Sequence, residues 1–340
     1  MVVVAFAAAG LNQRGVTFLW WEFPSAALNT GIIPRALLYK YVLAAIAIPV
    51  WLAWVATILG LVSTAGIIPD FIAGGAVELS LSKPIGRVRL LLTKFVTALL
   101  FMFLQVGAFI SAAFVVIGVR GDAWEPRLFL AIPVMVLFFS YLYAVCLLLG
   151  LLTRSAIASL LLTLLVWLGV FGINSAESIF LVLRERNAMR IEWLEPAVER
   201  LESALAEDTT AGRANPRREA ALEKRREQLA EGRKNSGPIR RAHAAVLAIK
   251  TAAPKTQETA DLLQRVILSA ADRDRFRFSD RKSPGFDFAG DDVSVDGREL
   301  QRRVEEGQLG RSLLWVIGTS VGFETVVLAL AGWVFARRDF

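Results

Sequence analysis

The chain has 340 residues, 55% of them hydrophobic, a formal net charge of +7, one cysteine and one histidine. Its mean hydropathy is +0.51 and its pI is near 9.8. The apolar residues lie in runs of membrane-spanning length rather than dispersed as in a soluble domain, which excludes an ordinary soluble enzyme. The excess of positive charge forms no basic stripe, which argues against a nucleic-acid partner.

Charge is segregated along the chain. Residues 184–311 hold 26 Lys/Arg and 23 Asp/Glu, and the other 212 residues hold 12 and 8. This predicts an all-α polytopic membrane bundle interrupted by one charged insertion. The expected organisation is a bundle over 1–183 with a cytoplasmic loop at 65–90, an extracytoplasmic, mainly helical insertion over 184–311, and a last span with its cytoplasmic tail over 312–340.

In chain order, Met1–Leu11 is apolar but about half the length needed to cross a bilayer. It reads as the truncated end of a further spanning helix that begins before this chain does. Five clear spans follow: Val42–Thr64, Leu90–Gly118, Leu128–Leu152, Ala156–Leu183 and Ser312–Ala336. They lack the alternation of barrel strands, and helices satisfy their own backbone in lipid. Lys83, Arg87, Arg89, Arg154 and the terminal Arg337-Arg338 fall on one side by parity, so the positive-inside rule makes that side cytoplasmic. Trp20, Trp21, Phe23, Trp124 and Trp193 suit the headgroup level.

The insertion reads as a helical hairpin. Leu194, Val198, Leu201 and Leu205 share a face of a helix over Ile191–Ala206. Glu207–Pro216 carries turn residues, and Arg217–Glu231 is a second, very polar helix. Two shorter helices are expected at Pro238–Thr251 and Thr256–Ala271, then a loop over Arg273–Asp296. Asp291, Asp292 and Asp296 lack the ligand spacing of a calcium loop, so no metal is expected. The single histidine, His243, has no clustered partner in sequence and reads as a surface residue. Cys146 lies in an apolar run.

No phosphate-binding G-x-x-x-x-G-K-[ST], no H-E-x-x-H and no G-x-S-x-G occurs. The chain is therefore not expected to be an enzyme, and no catalytic residue, metal or cofactor is assigned. Glu324, in the middle of the last span, is an intramembrane carboxylate and a functional candidate by default. Gly318 and Gly322 form a G-x-x-x-G, a weak signal for helix contact. Gln105, Tyr141 and Tyr143 read as interhelical hydrogen-bonding groups.

The stretch Glu78-Leu79-Ser80-Leu81-Ser82-Lys83-Pro84, with Arg87 and Lys94 following, resembles the E-L-L-L-S-K-P-x-x-R…K signature of ABC-2 type transporter permeases, in particular the branch of the nitrous-oxide-reductase maturation permease. The ending Trp333-Val334-Phe335-Ala336-Arg337-Arg338-Asp339-Phe340 resembles that family's closing Arg-Arg-Asp. The insertion is larger than the family's usual extracytoplasmic segment.

The resemblance implies a coupling element over Ile68–Leu79 that docks into a separate ATP-binding cassette ATPase subunit, which would bind the ATP. Asp70, Phe71 and Glu78 are the coupling candidates. Lys83, Arg87 and Arg89 are candidates for anchoring the loop to membrane lipid. A homodimer or pseudo-dimer, export as the direction, and residence in the cell membrane follow from the same likeness. One alternative is a membrane scaffold or assembly protein whose insertion binds a protein partner. Another is a secondary transporter driven by protons through Glu324.

Overall fold

This computed structural model describes residues 9–12, 15–18, 21–24, 43–73, 86–121, 124–256, 258–259, 297–309 and 313–337. Apart from a small N-terminal sheet, the described residues form an all-α membrane bundle with a helical insertion, as the segregation of charge predicts. Among the described residues, five helices are long and apolar enough to cross a membrane: Val50–Ile72, Arg87–Val119, Pro126–Thr153, Ala156–Thr210 and Trp315–Arg337.

Near the N-terminus the backbone departs from expectation. Ala9–Asn12 (β1), Gly15–Phe18 (β2) and Trp21–Pro24 (β3) form an antiparallel meander in the order β1-β2-β3. The register pairs Ala9 with Phe18 and Phe18 with Trp21. Ala9–Leu11 is thus strand rather than the end of a spanning helix, and Met1–Ala8 lies outside the described residues. The run is too short to cross a bilayer, and Val16, Thr17, Phe18, Trp21 and Phe23 are strand-favouring types.

The first span starts with π-helical winding over Leu43–Ala56, which tightens to α1 (Thr57–Thr64). Where the winding changes, the Thr57 hydroxyl donates to the Leu52 carbonyl five residues back, at 3.1 Å. A short helix, α2 (Ile67–Ala73), closes this span. The second span is α3 (Arg87–Gly121). A 3-10 turn at Pro126–Leu130 opens the third, α4 (Ala131–Thr153). Arg154 caps α4 in the left-handed region (φ 52°), where its N–H bonds the Gly150 carbonyl at 2.9 Å.

These spans pack closely at Gly60. A methyl group there would stand 3.1 Å from the Phe139 ring of α4 and 3.2 Å from the Met102 sulfur of α3. Phe139 and Met102 are themselves fully buried.

The fourth span does not end where its apolar run ends. It continues as one helix, α5 (Ala156–Thr210), of 55 residues, about 82 Å long at helical rise. Likewise the expected helices Arg217–Glu231 and Pro238–Thr251 are one helix, α6 (Pro216–Ala252), with Pro238 inside it. Asn215 caps α6 and Pro216 takes its first position. The expected turn is present but shorter, with Gly212 at φ 67°. Then come α7 (Gly297–Leu309) and the last span, α8 (Leu313–Arg337).

The chain divides into two compact units. One gathers Met1–Phe171, Pro254–Arg281 and Val316–Phe340; the other gathers Gly172–Ala253 and Lys282–Trp315. In the second unit α5 and α6 run antiparallel over a small core of Leu194, Val198 and Leu229, flanked by Ile191 and Leu222. Exposed ion pairs follow the hairpin: Asp208–Arg218 at 2.7 Å, Glu202–Arg226 at 2.6 Å and Glu195–Arg233 at 2.8 Å. Each is solvent-screened and sets register more than stability.

Candidate functional site

The polar residues gather in three groups: an elbow at the end of the first span, a cluster in the bundle, and a buried triad in the hairpin.

The elbow is α2. Ile68 is buried, and Pro69, also buried, lies against the end of α4: a methyl group on Gly150 would stand 3.4 Å from Pro69 Cδ. Asp70 is exposed and Phe71 half-buried. The Lys94 ammonium of α3 stands 4.7 Å from the Phe71 ring centroid, a cation–π distance. Two of the three coupling candidates, Asp70 and Phe71, are therefore adjacent on one short helix whose opposite side is packed. Glu78 lies outside the described residues, as do Lys83 and the rest of the Glu78–Pro84 motif. Arg87 Nη1 donates to the Ala336 carbonyl at 3.2 Å, so it caps the last turn of α8, where carbonyls lack intrahelical donors. Arg89 is exposed.

Inside the bundle, Glu324 of α8 meets Ser140 of α4, with Oγ and Oε2 2.9 Å apart. One turn away on α8, the Ser320 hydroxyl is fully buried and accepts the backbone N–H of Lys255 at 3.0 Å. The Thr259 hydroxyl donates to the Lys255 carbonyl at 2.7 Å, and Lys255 and Thr259 are both fully buried. A stretch of the expected insertion thus belongs to the membrane unit. Sequence reading missed this, because Lys255-Thr256-Gln257-Glu258-Thr259 carries only polar residues. The rest of the expected helix Thr256–Ala271 lies outside the described residues.

The other in-membrane polar groups behave differently from expectation. Gln105 Oε1 and the Tyr141 and Tyr143 hydroxyls have no hydrogen-bond partner among the described residues. Tyr143 acts as an aromatic packing residue, stacked on Phe139 at 5.6 Å and Phe95 at 5.7 Å. Gly318 and Gly322 have nothing within 4 Å of an added methyl group.

The triad lies in the second unit. Lys250 Nζ is 2.9 Å from Glu177 Oε2, and His243 Nε2 is 3.6 Å from Glu177 Oε1. All three side chains are at least nine-tenths buried. His243 is therefore not a surface residue. It sits seven residues before Lys250, two turns along the same face of α6, and that face meets α5. The expectation failed because a partner 66 positions away in sequence is invisible without the hairpin. Asn174, one turn before Glu177, is also buried, and its Nδ2 is unpartnered among the described residues.

No family model, curated protein or solved structure matches the chain.

Proposed function

We propose that the chain is the membrane-spanning permease subunit of an ATP-driven ABC-2 type transporter, working as an exporter in the cell membrane with a separate ATPase subunit. The observation that carries the reading is α2. It is the short helix that closes the first span, with Ile68 and Pro69 packed on the bundle and Asp70 exposed. An element built this way can pass a push from a partner into the spans, because one side is wedged against α4 while the other is open. The adjoining Glu78–Pro84 motif and the closing Arg-Arg-Asp support it through their likeness to that family.

In this reading the chain makes and breaks no covalent bond. The ATPase pair closes on nucleotide, α2 moves with it, and the spans shift between two packings. The positive-inside bias of the short loops supports a cytoplasmic α2 and C-terminus and an extracytoplasmic α5–α6 hairpin.

A second reading is favoured by one feature. The α5–α6 hairpin includes part of a 55-residue helix, is large for a permease, and suits a scaffold that binds a protein partner. One experiment separates the two: purification of the tagged chain from native membranes in mild detergent. The permease reading expects a stoichiometric ATP-binding cassette subunit that is lost in Asp70→Lys/Glu78→Lys and kept when the tip of the hairpin is shortened. A partner lost on shortening the tip, with no ATPase in either sample, would replace it with the scaffold.

A further inference from the structure

The polar cluster of the bundle contains a proton-counting problem. Ser140 Oγ has two acceptors within hydrogen-bond distance, the Leu137 carbonyl at 2.8 Å and Glu324 Oε2 at 2.9 Å. A serine hydroxyl carries one hydrogen. Within helices serine bonds back to a carbonyl of the preceding turn, and Ser140 has that geometry. While that hydrogen serves the Leu137 carbonyl, the Ser140 oxygen is left as an acceptor toward Glu324, and a hydrogen bond between them then takes its hydrogen from the carboxyl group. Solvation gives the same answer. Among the described residues Ser140 is the one hydrogen-bond partner of Glu324, and no cation pairs with it. Glu324 is half-buried on a membrane-spanning helix, and an ionised carboxylate there with a single neutral donor is disfavoured against its neutral acid.

The surroundings supply what the ionised form would need. The Tyr141 hydroxyl is fully buried and makes no hydrogen bond among the described residues, and it faces Ser320 and Thr259 with Glu324 in electrostatic reach. The titratable and charged groups around the carboxyl are Tyr141 from α4, and Lys255 and Glu258 from the segment beside Ser320. Lys255 and Glu258 are engaged in interactions of their own. That segment is held to α8 by the bond from Lys255 N–H to Ser320, one turn from Glu324.

We propose that Glu324 is a proton-binding site: it holds one proton as a neutral carboxylic acid donated to Ser140, and release of that proton frees the segment at Lys255–Thr259 from α8. On release the proton passes to bulk water and the carboxylate recruits the Tyr141 hydroxyl and incoming water. Water reaches it by displacing the Lys255–Ser320 bond. The proposal does not rest on ATPase coupling, and a proton needs no cavity.

The first test is infrared difference spectroscopy of the full chain in lipid nanodiscs, titrated with pH in light and heavy water. A carbonyl band of a protonated carboxylic acid is expected. It should vanish in Glu324→Gln and shift, without vanishing, in Ser140→Ala. Absence of any such band that depends on Glu324 overturns the site. The second test is labelling of Thr256→Cys with a membrane-impermeant maleimide, referenced to Ala214→Cys on the exposed turn to correct for thiol ionisation. Labelling should be low while the band is present and rise several-fold as it disappears. With Glu324→Gln, which mimics the neutral acid, it should stay low throughout. A band that titrates while labelling stays flat overturns the release step.

Discussion

Lys250 Nζ and Glu177 Oε2 stand 2.9 Å apart with both side chains closed to solvent, so the two long helices of the hairpin are joined by a buried ion pair. Removing either charge alone leaves the other buried without this counter-charge. Lys250→Met should cost about 3–5 kcal/mol, the range for breaking a buried pair on one side. Lys250→Met combined with Glu177→Gln should recover much of that, because neutral partners carry no such penalty. Thermal unfolding of the hairpin signal by circular dichroism in detergent gives the comparison. Equal losses in the single and double variants would mean that packing, not charge, dominates there.

Gly60 sets the spacing of three spans. A β-carbon there meets Phe139 at 3.1 Å and Met102 at 3.2 Å, both fully buried, so larger residues must displace them. Gly60→Val should destabilise the bundle by about 1–3 kcal/mol, the usual cost of overpacking. Gly107 is the internal control. It lies in α3 with nothing within 4 Å of an added methyl, and Gly107→Ala should be neutral or stabilising by up to about 1 kcal/mol through helix propensity. Denaturation of the two variants in mixed micelles ranks them, and a reversed order would contradict the close-packing account.

The spans were legible because a bilayer imposes a length, and runs such as Leu128–Leu152 meet it in sequence. The helix boundaries beyond the membrane were not. At Leu183–Arg184 the composition changes from apolar to charged, but such a change says where solvent begins, not where backbone hydrogen bonding stops, and α5 runs on to Thr210. Pro238 reads as a helix start because proline is favoured there; inside α6 it costs one backbone bond, and the helix continues. Of the candidate site, Asp70 and Glu324 stood out as a loop charge and an intramembrane charge. His243 and Lys250 did not, since only the antiparallel pairing of α5 with α6 brings them to Glu177. Lys255 was hidden for the opposite reason: its surroundings in sequence are polar, and its burial comes wholly from tertiary packing.

The turn of the hairpin offers a local test. Asn215 Oδ1 accepts the Arg218 N–H at 3.4 Å, while its Nδ2 reaches Asp208 at 3.4 Å. Both bonds are long, so Asn215→Ala should cost about 0.5–1 kcal/mol, the low end for a lost cap. Hydrogen exchange should show the loss confined to the first turn of α6, with the amides around Leu229 unchanged. Loss spread along the whole hairpin would mean that the turn fixes the pairing of the helices.

Acid should weaken the α7 helix. The Glu299 carboxylate accepts from Arg302 at 2.7 and 2.8 Å and from Arg303 at 2.9 Å, and Arg303 also donates to Glu192 of α5 at 2.9 Å. These guanidinium bonds, Arg302 first, hold the Glu299 carboxyl below its ordinary value of 4.5, at about 2. A carboxyl depressed in the folded state adds stability that is fully present above its unfolded value and lost as pH falls through its folded one. The window is therefore pH 4.5 down to 2. The group is solvent-exposed, so the effect is modest and shrinks with added salt. Hydrogen-exchange protection of the α7 amides, corrected for intrinsic rates, should fall across this window in the native chain. In Glu299→Gln it should start lower and change less. Parallel loss in the two proteins would assign the acid sensitivity to other carboxylates, and would leave Arg303 a bridge to Glu192 alone.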